Sequence, residues 1–271
     1  MTIKEINDRK KPIGIANLFG ILLAFVSFLL FMFNPFAVIG VIVGGIAIAV
    51  SSKLLKKLSV EFKEIYVRDA LKEIIPTAEY DPKKGFDEER VYASKILKKE
   101  DRYASEDYLK GTIKGRTFES ADVHLKDVRS NGKSTTVVTV FQGRFFMIDA
   151  RYGFEEDVYV VPNRYWPFGA PDDLKKVELE SIRFNESFDV FSKNEQSAFY
   201  LLTPLFMEKL EEFARFAQKT MFGFTQDRVY VAIDTRKDAF DLGMYKPVDS
   251  SYVDDINKEI SLIEELIELL E

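Results

Sequence analysis

The sequence contains no cysteine, and histidine and tryptophan occur once each, as His124 and Trp166. The absence of cysteine excludes disulfides, thiolate zinc sites, iron–sulfur clusters and cysteine nucleophiles. One histidine cannot build a histidine metal site, and a serine triad would need His124 together with a G-x-S-x-G turn, which does not occur. The phosphate-binding patterns G-x-x-x-x-G-K-[ST] and G-x-G-x-x-G are missing as well. The sequence therefore predicts no cofactor and no metal.

Charge is missing from one long stretch of the chain. No Asp, Glu, Lys or Arg occurs between Lys11 and Lys53, whereas the remainder is densely charged. An uncharged apolar stretch of this length is typical of membrane segments and not of soluble cores. The net charge of −6 argues against a nucleic-acid partner, because proteins that bind nucleic acid usually carry a basic face.

The apolar stretch is too long for one membrane span. A single helix from Ile13 to Val50 would measure about 57 Å, whereas the hydrocarbon core of a bilayer is about 30 Å thick. Asn34-Pro35 lies in its middle: the residue before a proline leaves the α region, and proline suits the first turn of a following helix. The sequence predicts a helical hairpin with spans at about 13–33 and 36–52, so that residues 13–52 contact the lipid bilayer.

Small residues recur every four positions in both predicted spans. Such stripes let helix backbones approach closely in lipid, and folding about the tip places Gly20 opposite Ala49 and Ala24 opposite Gly45. Packing between copies of the chain, or no packing role at all, are the alternatives. The predicted helix-packing residues are Ala16, Gly20, Ala24, Gly40, Gly44, Gly45 and Ala49.

The flanks of the apolar stretch predict its orientation. "KEINDRKK" (4–11) precedes the first span and "KLLKK" (53–57) follows the second, so both ends are basic while the tip is uncharged. Basic flanks stay in the cytoplasm, which predicts a two-span protein of the cell membrane with both termini cytoplasmic. A cleaved signal peptide is the alternative, but it needs a small-residue cleavage motif that "LLFMFNPF" does not offer.

The remainder of the chain predicts an α+β domain. Helical spacing continues over residues 53–75, and strand-like runs then flank Asn131-Gly132, a dipeptide that favours a two-residue hairpin turn. A helix starting at Thr203-Pro204 and a closing hairpin around Gln226-Asp227 follow. This order predicts a mostly antiparallel sheet with packed helices and a C-terminal helix. The predicted domains are the N-terminal tail and hairpin (1–52), a juxtamembrane helix and linker (53–85), the cytoplasmic α+β domain (86–248) and a C-terminal amphipathic helix (249–271).

The C-terminal helix carries an apolar stripe spaced alternately by four and three residues. The stripe is only about two heptads long, which is shorter than a coiled coil requires. Docking onto the rest of the chain is therefore favoured, and a homo-oligomer formed through the spans or through this helix is the alternative. The stripe consists of Ile256, Ile260, Ile263, Ile267 and Leu270.

The loop "NRYWPFGAP" (163–171) is the candidate partner-binding segment. It contains Tyr165, Trp166 and Phe168 together with two prolines that stiffen it, and rigid exposed aromatics are common at binding surfaces. Covering of the core by the same aromatics is the alternative. Asp and Glu side chains could also assemble from distant positions into a carboxylate-dependent hydrolase site. A channel or transporter subunit is disfavoured, because transport paths usually contain polar or ionisable groups.

The chain resembles a family of bacterial membrane proteins of unknown function. The matching segments are "GTIKGRTFESADVHL" (111–125), "FQGRFFMIDA" (141–150), "FDVFS" (188–192), "AFYLLTPLFMEKLEEF" (198–213) and "YVAI" (230–233), in this order. The resemblance implies two N-terminal membrane helices and a cytoplasmic domain, and it supplies no catalytic residues. Sequence and resemblance together predict a membrane-anchored cytosolic binding or scaffold module that engages a protein or lipid partner at the inner membrane.

Overall fold

A computed structural model describes residues 2–150, 153–166, 170, 174–215, 217–237, 240–249 and 251–269, with the backbone alone at positions 251–253, 255, 256, 259, 262 and 269. The chain divides into two compact units. The hairpin unit comprises residues 1–71 and 240–256, and the sheet unit comprises residues 72–239 and 257–271. The predicted α+β fold with two long apolar N-terminal helices is confirmed.

The hairpin unit is built on two helices joined at the predicted tip. Helix α1 (Ile3–Leu30) begins at the N-cap Thr2, and helix α2 (Val38–Phe62) follows a single 3-10 turn, Pro35–Ala37. The Asn34 side chain caps that turn by accepting a hydrogen bond of 3.0 Å from the Phe36 N–H. Both helices are long and apolar enough to cross a membrane.

Helical conformation continues beyond α2. A π-helical stretch, Lys63–Val67, leads into helix α3 (Arg68–Ile74), so that the chain is helical from Pro35 to Ile74 as the spacing predicted. The helix ends shortly before Pro76, which cannot donate the backbone hydrogen bond that a continuing helix needs. The π-helical stretch places Lys63 with its side chain buried.

Four of the seven predicted packing residues lie between α1 and α2. A Cβ atom added at Gly44 would lie 2.6 Å from the Gly20 carbonyl oxygen and 2.8 Å from the Ala24 Cβ. A Cβ added at Gly40 would overlap the Ser27 side chain. These glycines therefore let the two backbones approach more closely than any larger residue would permit.

The predicted pairing differs from the structure by one residue. Gly44, and not Gly45, faces Ala24, and a Cβ added at Gly45 would meet no atom within 4 Å. One residue rotates a side chain by about 100° around a helix, so this shift turns Gly45 and Ala49 to the exposed side. Ala16 is exposed too, because successive steps of four residues drift by about 40° each around the helix.

A polar pair lies in the middle of this helix interface. The Asn17 amide donates a buried hydrogen bond of 2.8 Å to the Ser51 hydroxyl, which in turn donates to the Ala47 carbonyl at 2.7 Å. In an apolar environment such a pair holds two helices in a fixed register, because separation would leave both groups unsatisfied.

We expect Gly44→Leu to disrupt the hairpin, whereas Gly45→Leu should be tolerated. Leucine at position 44 would collide with Gly20 and Ala24, and overpacking of this kind destabilises by about 1–3 kcal/mol or more. Thermal unfolding of the full chain in detergent measures the difference between the two variants. Equal losses for both would show that α1 and α2 do not pack as described.

The sheet unit contains one nine-stranded sheet in which every neighbouring pair is antiparallel. The strand order is β1-β2-β3-β4-β9-β8-β5-β7-β6. The strands are β1 (Glu79–Asp81), β2 (Arg102–Ile113), β3 (Arg116–Ser130), β4 (Thr135–Asp149), β5 (Val158–Pro162), β6 (Lys175–Val177), β7 (Phe188–Ser192), β8 (Lys219–Phe224) and β9 (Arg228–Asp234). The predicted hairpins at Asn131-Gly132 and Gln226-Asp227 are the β3–β4 and β8–β9 turns.

Each face of the sheet carries a packed apolar layer. On one face, helix α4 (Glu88–Ala93) and the residues after it cover a core cluster that includes Phe145 and Tyr159. On the other face, aromatic rings of helix α7 (Pro204–Ala214) pack on β8, with ring centroids 5.5 Å apart for Phe206 and Phe224. The remaining helices here are α5 (Ile182–Ser187), α6 (Glu195–Leu201) and α7 (Pro204–Ala214), and Thr203 caps α7 as predicted.

The C-terminal helix α8 (Ser251–Leu269) buries its stripe within the chain. Ile260, Ile263 and Ile267 are at most 7% exposed. Lys114, in the β2–β3 turn, forms ion pairs with Glu264 and Glu268 at 3.4 and 2.9 Å. The part of α8 that belongs to the sheet unit therefore docks on that unit, which is the favoured of the two alternatives. The side chain of Ile256 and the whole of Leu270 lie outside the described residues.

Candidate binding pocket in the hairpin unit

A segment near the C terminus completes the hairpin unit. Residues 240–249, here called the strap, follow the sheet in sequence and lie against α1 and α2. Phe240, Leu242 and Val248 are buried by this packing. Sequence reasoning assigned these residues to the cytoplasmic domain, because no periodic pattern marks a segment that packs through three isolated apolar side chains.

Polar contacts fix the strap to α2 and to the helical residues that follow it. The buried Lys63 ammonium forms an ion pair of 2.6 Å with the Asp241 carboxylate, which also accepts a hydrogen bond of 3.0 Å from the Ser59 hydroxyl. The Ser59 hydroxyl accepts in turn from the Leu242 N–H at 3.3 Å. The Asp241 carboxylate thus supplies the buried Lys63 ammonium with a counter-charge.

Further contacts fix the strap to α1. The Asn7 side chain pairs with the backbone of Val248, donating to its carbonyl at 2.7 Å and accepting from its N–H at 2.9 Å. The Tyr245 hydroxyl donates to the Asn17 side chain at 2.6 Å. Asn17 therefore joins three parts of the unit, because its amide also donates to Ser51 of α2.

A pocket of about 360 Å³ lies between α1 and the strap. One end is polar and is lined by Asn7, Asp8, Lys10 and Lys11. The other end is apolar and is lined by Gly14, Ile15, Leu18, Met244 and Tyr245. Pro247 also lines the pocket, and its neighbours Lys246 and Val248 bond to Lys10 and Asn7 of the polar end. Its volume falls within the range of about 300–1,000 Å³ that is usual for small-molecule sites. The pocket therefore offers an amphipathic ligand a charged end and an apolar end.

Lys10 is the unusual residue of this pocket. It is only 4% exposed, and its ammonium donates a hydrogen bond to the Lys246 carbonyl. Among the residues described, no carboxylate lies within ion-pair distance of Lys10, whereas the nearby basic residues Arg9 and Lys63 are paired with Glu61 and Asp241. A buried charge without a counter-charge is unfavourable, so a negatively charged group in the pocket would stabilise it.

A second pocket, of about 250 Å³, lies in the sheet unit beside α5 and α7. Arg183, Arg215 and Lys219 make it basic, but the Arg183 guanidinium is paired with Glu211 at 2.8 Å. The buried Thr220 hydroxyl also lines it and has no hydrogen-bond partner among the described residues. This pocket is smaller and less apolar than the first.

Neither pocket brings two carboxylates together. Asp8 is the acidic residue lining the first pocket and Glu211 the one lining the second. A carboxylate hydrolase needs a second acid within reach of the same substrate. Among the described residues there is also no group of three His, Asp or Glu side chains that could hold a metal ion.

One partly buried carboxylate of the sheet unit, Glu119, is unsuited to acid catalysis. It accepts hydrogen bonds of 2.9 Å from both Arg90 and Tyr108. Burial raises the pKa of Glu119, but these bonds together outweigh it and hold the pKa below its usual value. A general acid needs the opposite shift, so Glu119 serves to fix the two side chains around it.

Trp166, the central aromatic of the loop, is part of the core. Trp166 is 8% exposed, and its ring centroid lies 4.9 Å from that of Phe191 and 6.2 Å from that of Tyr159. Tyr165 is half-buried, and its carbonyl accepts a hydrogen bond from the Lys98 ammonium. Phe168 lies outside the described residues. Of the two alternatives for Trp166, covering of the core agrees with this packing over β5 and β7, and a partner-binding role for the loop stays a prediction.

Part of this chain is similar to a known protein family. Residues 139–271 match the family described as Protein of unknown function (DUF3137). The matched region runs from within β4 to the end of the chain and includes the strap, and it supports the resemblance to an uncharacterised family. No curated protein matches the chain.

Among solved structures, the crystal structure of the mycobacterial trehalose monomycolate transport factor A, TtfA, is similar. The similarity has a TM-score of 0.38 and 11% sequence identity, and it covers 72% of this chain and 89% of that chain. A similarity of this degree carries no argument about function.

Proposed function

We propose that the protein is a membrane-anchored binding module, held in the cell membrane by α1 and α2 with both termini in the cytoplasm. Residues 13–52 would contact the lipid bilayer, and the sheet unit would work in the cytosol at the inner membrane surface. The partner would be a lipid or a membrane or cytosolic protein that meets the chain at this surface.

The outward faces of α1 and α2 carry this proposal. Phe19, Phe25 and Phe28 of α1 are 61%, 60% and 65% exposed, and Ile42 and Ile46 of α2 are each 57% exposed. In water so large an apolar surface would be strongly unfavourable, at about 25 cal/mol per Å². In lipid the same surface is satisfied, and the polar Asn17 and Ser51 are turned inward onto each other.

The alternative function, a carboxylate hydrolase, has no support among the residues that the structure describes. Each of the two pockets is lined by one acidic residue, and the buried Asp122 and Asp189 take part in ion pairs. The pocket beside α1 favours binding instead, because it lies at the basic end of the apolar hairpin and combines charged and apolar walls.

Reporter fusions test the proposed topology. We expect a reporter placed before Met1 and a reporter placed after Glu271 both to give a cytoplasmic signal, because basic flanks are retained on that side. A fusion inserted at Asn34, in the tip, should give the opposite signal. An extracytoplasmic signal from either terminus would contradict the proposal.

A further inference from the structure

The pocket between α1 and the strap is divided along the axis of α1. Lys10 and Lys11 line one end, and Ile15 and Leu18 line the other. From Asn7 to Leu18 the pocket extends over about 16 Å of helix, at about 1.5 Å per residue. Its charged end thus precedes the first uncharged residues of α1, and its apolar end lies within them.

We propose that this pocket binds one anionic phospholipid, with the phosphate group at Lys10 and Lys11 and an acyl chain along Ile15 and Leu18. The inference rests on the proposed function, because it takes α1 as a helix that enters the membrane from the cytoplasm. At that boundary, lipid headgroups meet the basic end of the pocket and acyl chains meet the apolar end.

Charge complementarity favours an anionic headgroup. The lining carries two lysines and one aspartate, and within the described part of the chain the buried Lys10 ammonium donates its hydrogen bond to a neutral carbonyl. A phosphate oxygen would give this ammonium the charged partner that no described carboxylate supplies. Lys11 is exposed beside it and can contact a second phosphate oxygen.

The apolar end favours a lipid over a free anion. Ile15 and Leu18 are 60% and 59% exposed, and the half-buried Met244 lines the strap side of the pocket. Inorganic phosphate would leave this surface unused, whereas an acyl chain would cover it. A zwitterionic lipid is the closest competitor, because Asp8 could pair with its ammonium group.

Native mass spectrometry of the full chain in detergent tests the proposal. The protein is titrated with phosphatidylglycerol, phosphatidylethanolamine, phosphatidylcholine or inorganic phosphate, and a Kd is measured for each. We expect phosphatidylglycerol to bind most tightly and Lys10→Gln to weaken it about tenfold or more, since hydrogen bonds to charged groups have this magnitude. Equal affinity for the three lipids, or binding of inorganic phosphate as tight as that of phosphatidylglycerol, would overturn the proposal.

Three further variants make the result specific. Lys11→Gln and Ile15→Trp alter exposed positions that should not affect folding, and both should weaken phosphatidylglycerol binding, the first by losing charge and the second by filling the apolar end. Lys53→Gln is the control, because it removes an exposed basic charge of α2 that directly follows the uncharged stretch and does not line the pocket. It should leave the Kd for phosphatidylglycerol unchanged. An equal effect of Lys53→Gln would indicate non-specific attraction and refute the assigned site.

Cytoplasmic termini without lipid preference would refute this inference alone, whereas an extracytoplasmic terminus would refute the proposed function.

Discussion

Arg144→Met is expected to lower the free energy of unfolding of the sheet unit by about 3–5 kcal/mol. Arg144 lies on β4 directly opposite Asp122 of β3, and the two side chains form a buried ion pair of 2.9 Å. The guanidinium also donates to the Ser120 hydroxyl at 3.1 Å. Methionine preserves the apolar stem but leaves the Asp122 carboxylate buried without this cation, and that desolvated charge is the source of the loss.

Urea unfolding of the full chain, followed by the fluorescence of the single tryptophan, measures this effect. The matched control is Arg129→Met, which removes another Arg–Asp pair of β3, at 2.6 Å from Asp127. Because Arg129 is exposed, that change should cost about 0–1 kcal/mol. The double variant Arg144→Met with Asp122→Leu should be more stable than Arg144→Met alone. If Arg144→Met were no worse than Arg129→Met, the pair would not be buried as described.

Trp166→Ala is the second change with a large expected effect, a loss of about 3–5 kcal/mol. The indole packs against Phe191 of β7 and Tyr159 of β5, so alanine would leave a cavity above these two strands. This loss is comparable with much of the roughly 5–15 kcal/mol by which a typical domain is stable. Circular dichroism during urea unfolding measures it, because the variant has no tryptophan.

Tyr200→Ala provides the control for this cavity. Tyr200 is a large aromatic of the same unit but is 81% exposed, so its removal should change stability by at most about 0.5 kcal/mol. The wild-type protein should also show a blue-shifted emission that iodide quenches poorly. A red-shifted, readily quenched emission, with an unchanged midpoint for Trp166→Ala, would restore the binding-loop hypothesis.

The elements with strong local patterns could be predicted from the sequence. Composition alone marks the uncharged stretch. Backbone preferences within a few residues predict the Asn34-Pro35 tip, the Asn131-Gly132 turn and the Thr203-Pro204 helix start. Strand β2 was harder, because its alternating pattern is interrupted by the Asp107 bulge, where the backbone takes a positive φ of 58°. A local kink of this kind breaks the period on which strand prediction depends.

The residues that pack between α1 and α2 could be predicted only in part from the local sequence. The choice between Gly44 and Gly45 depends on how many residues the tip uses, and one residue of error rotates the face of α2 by about 100°. Asn17 and Ser51 were overlooked because each alone is an ordinary polar residue in an apolar run. Asn17 also accepts a hydrogen bond from the Tyr245 hydroxyl, which lies 228 residues further along the chain, and no local pattern predicts such a contact.

The strap also has a consequence for the order in which the molecule can be assembled. Ribosomes translate from the N terminus, so α1 and α2 leave the exit tunnel long before residues 240–249 exist. During that interval Lys63 has no Asp241, Asn7 has no Val248, and the wall of the pocket that contains Met244 is absent. A nascent chain or a fragment that stops before the strap therefore lacks the contacts of Lys63 and Asn7 with the strap and one wall of the pocket. The base of the hairpin unit is therefore completed only after residues 240–249 have been synthesised.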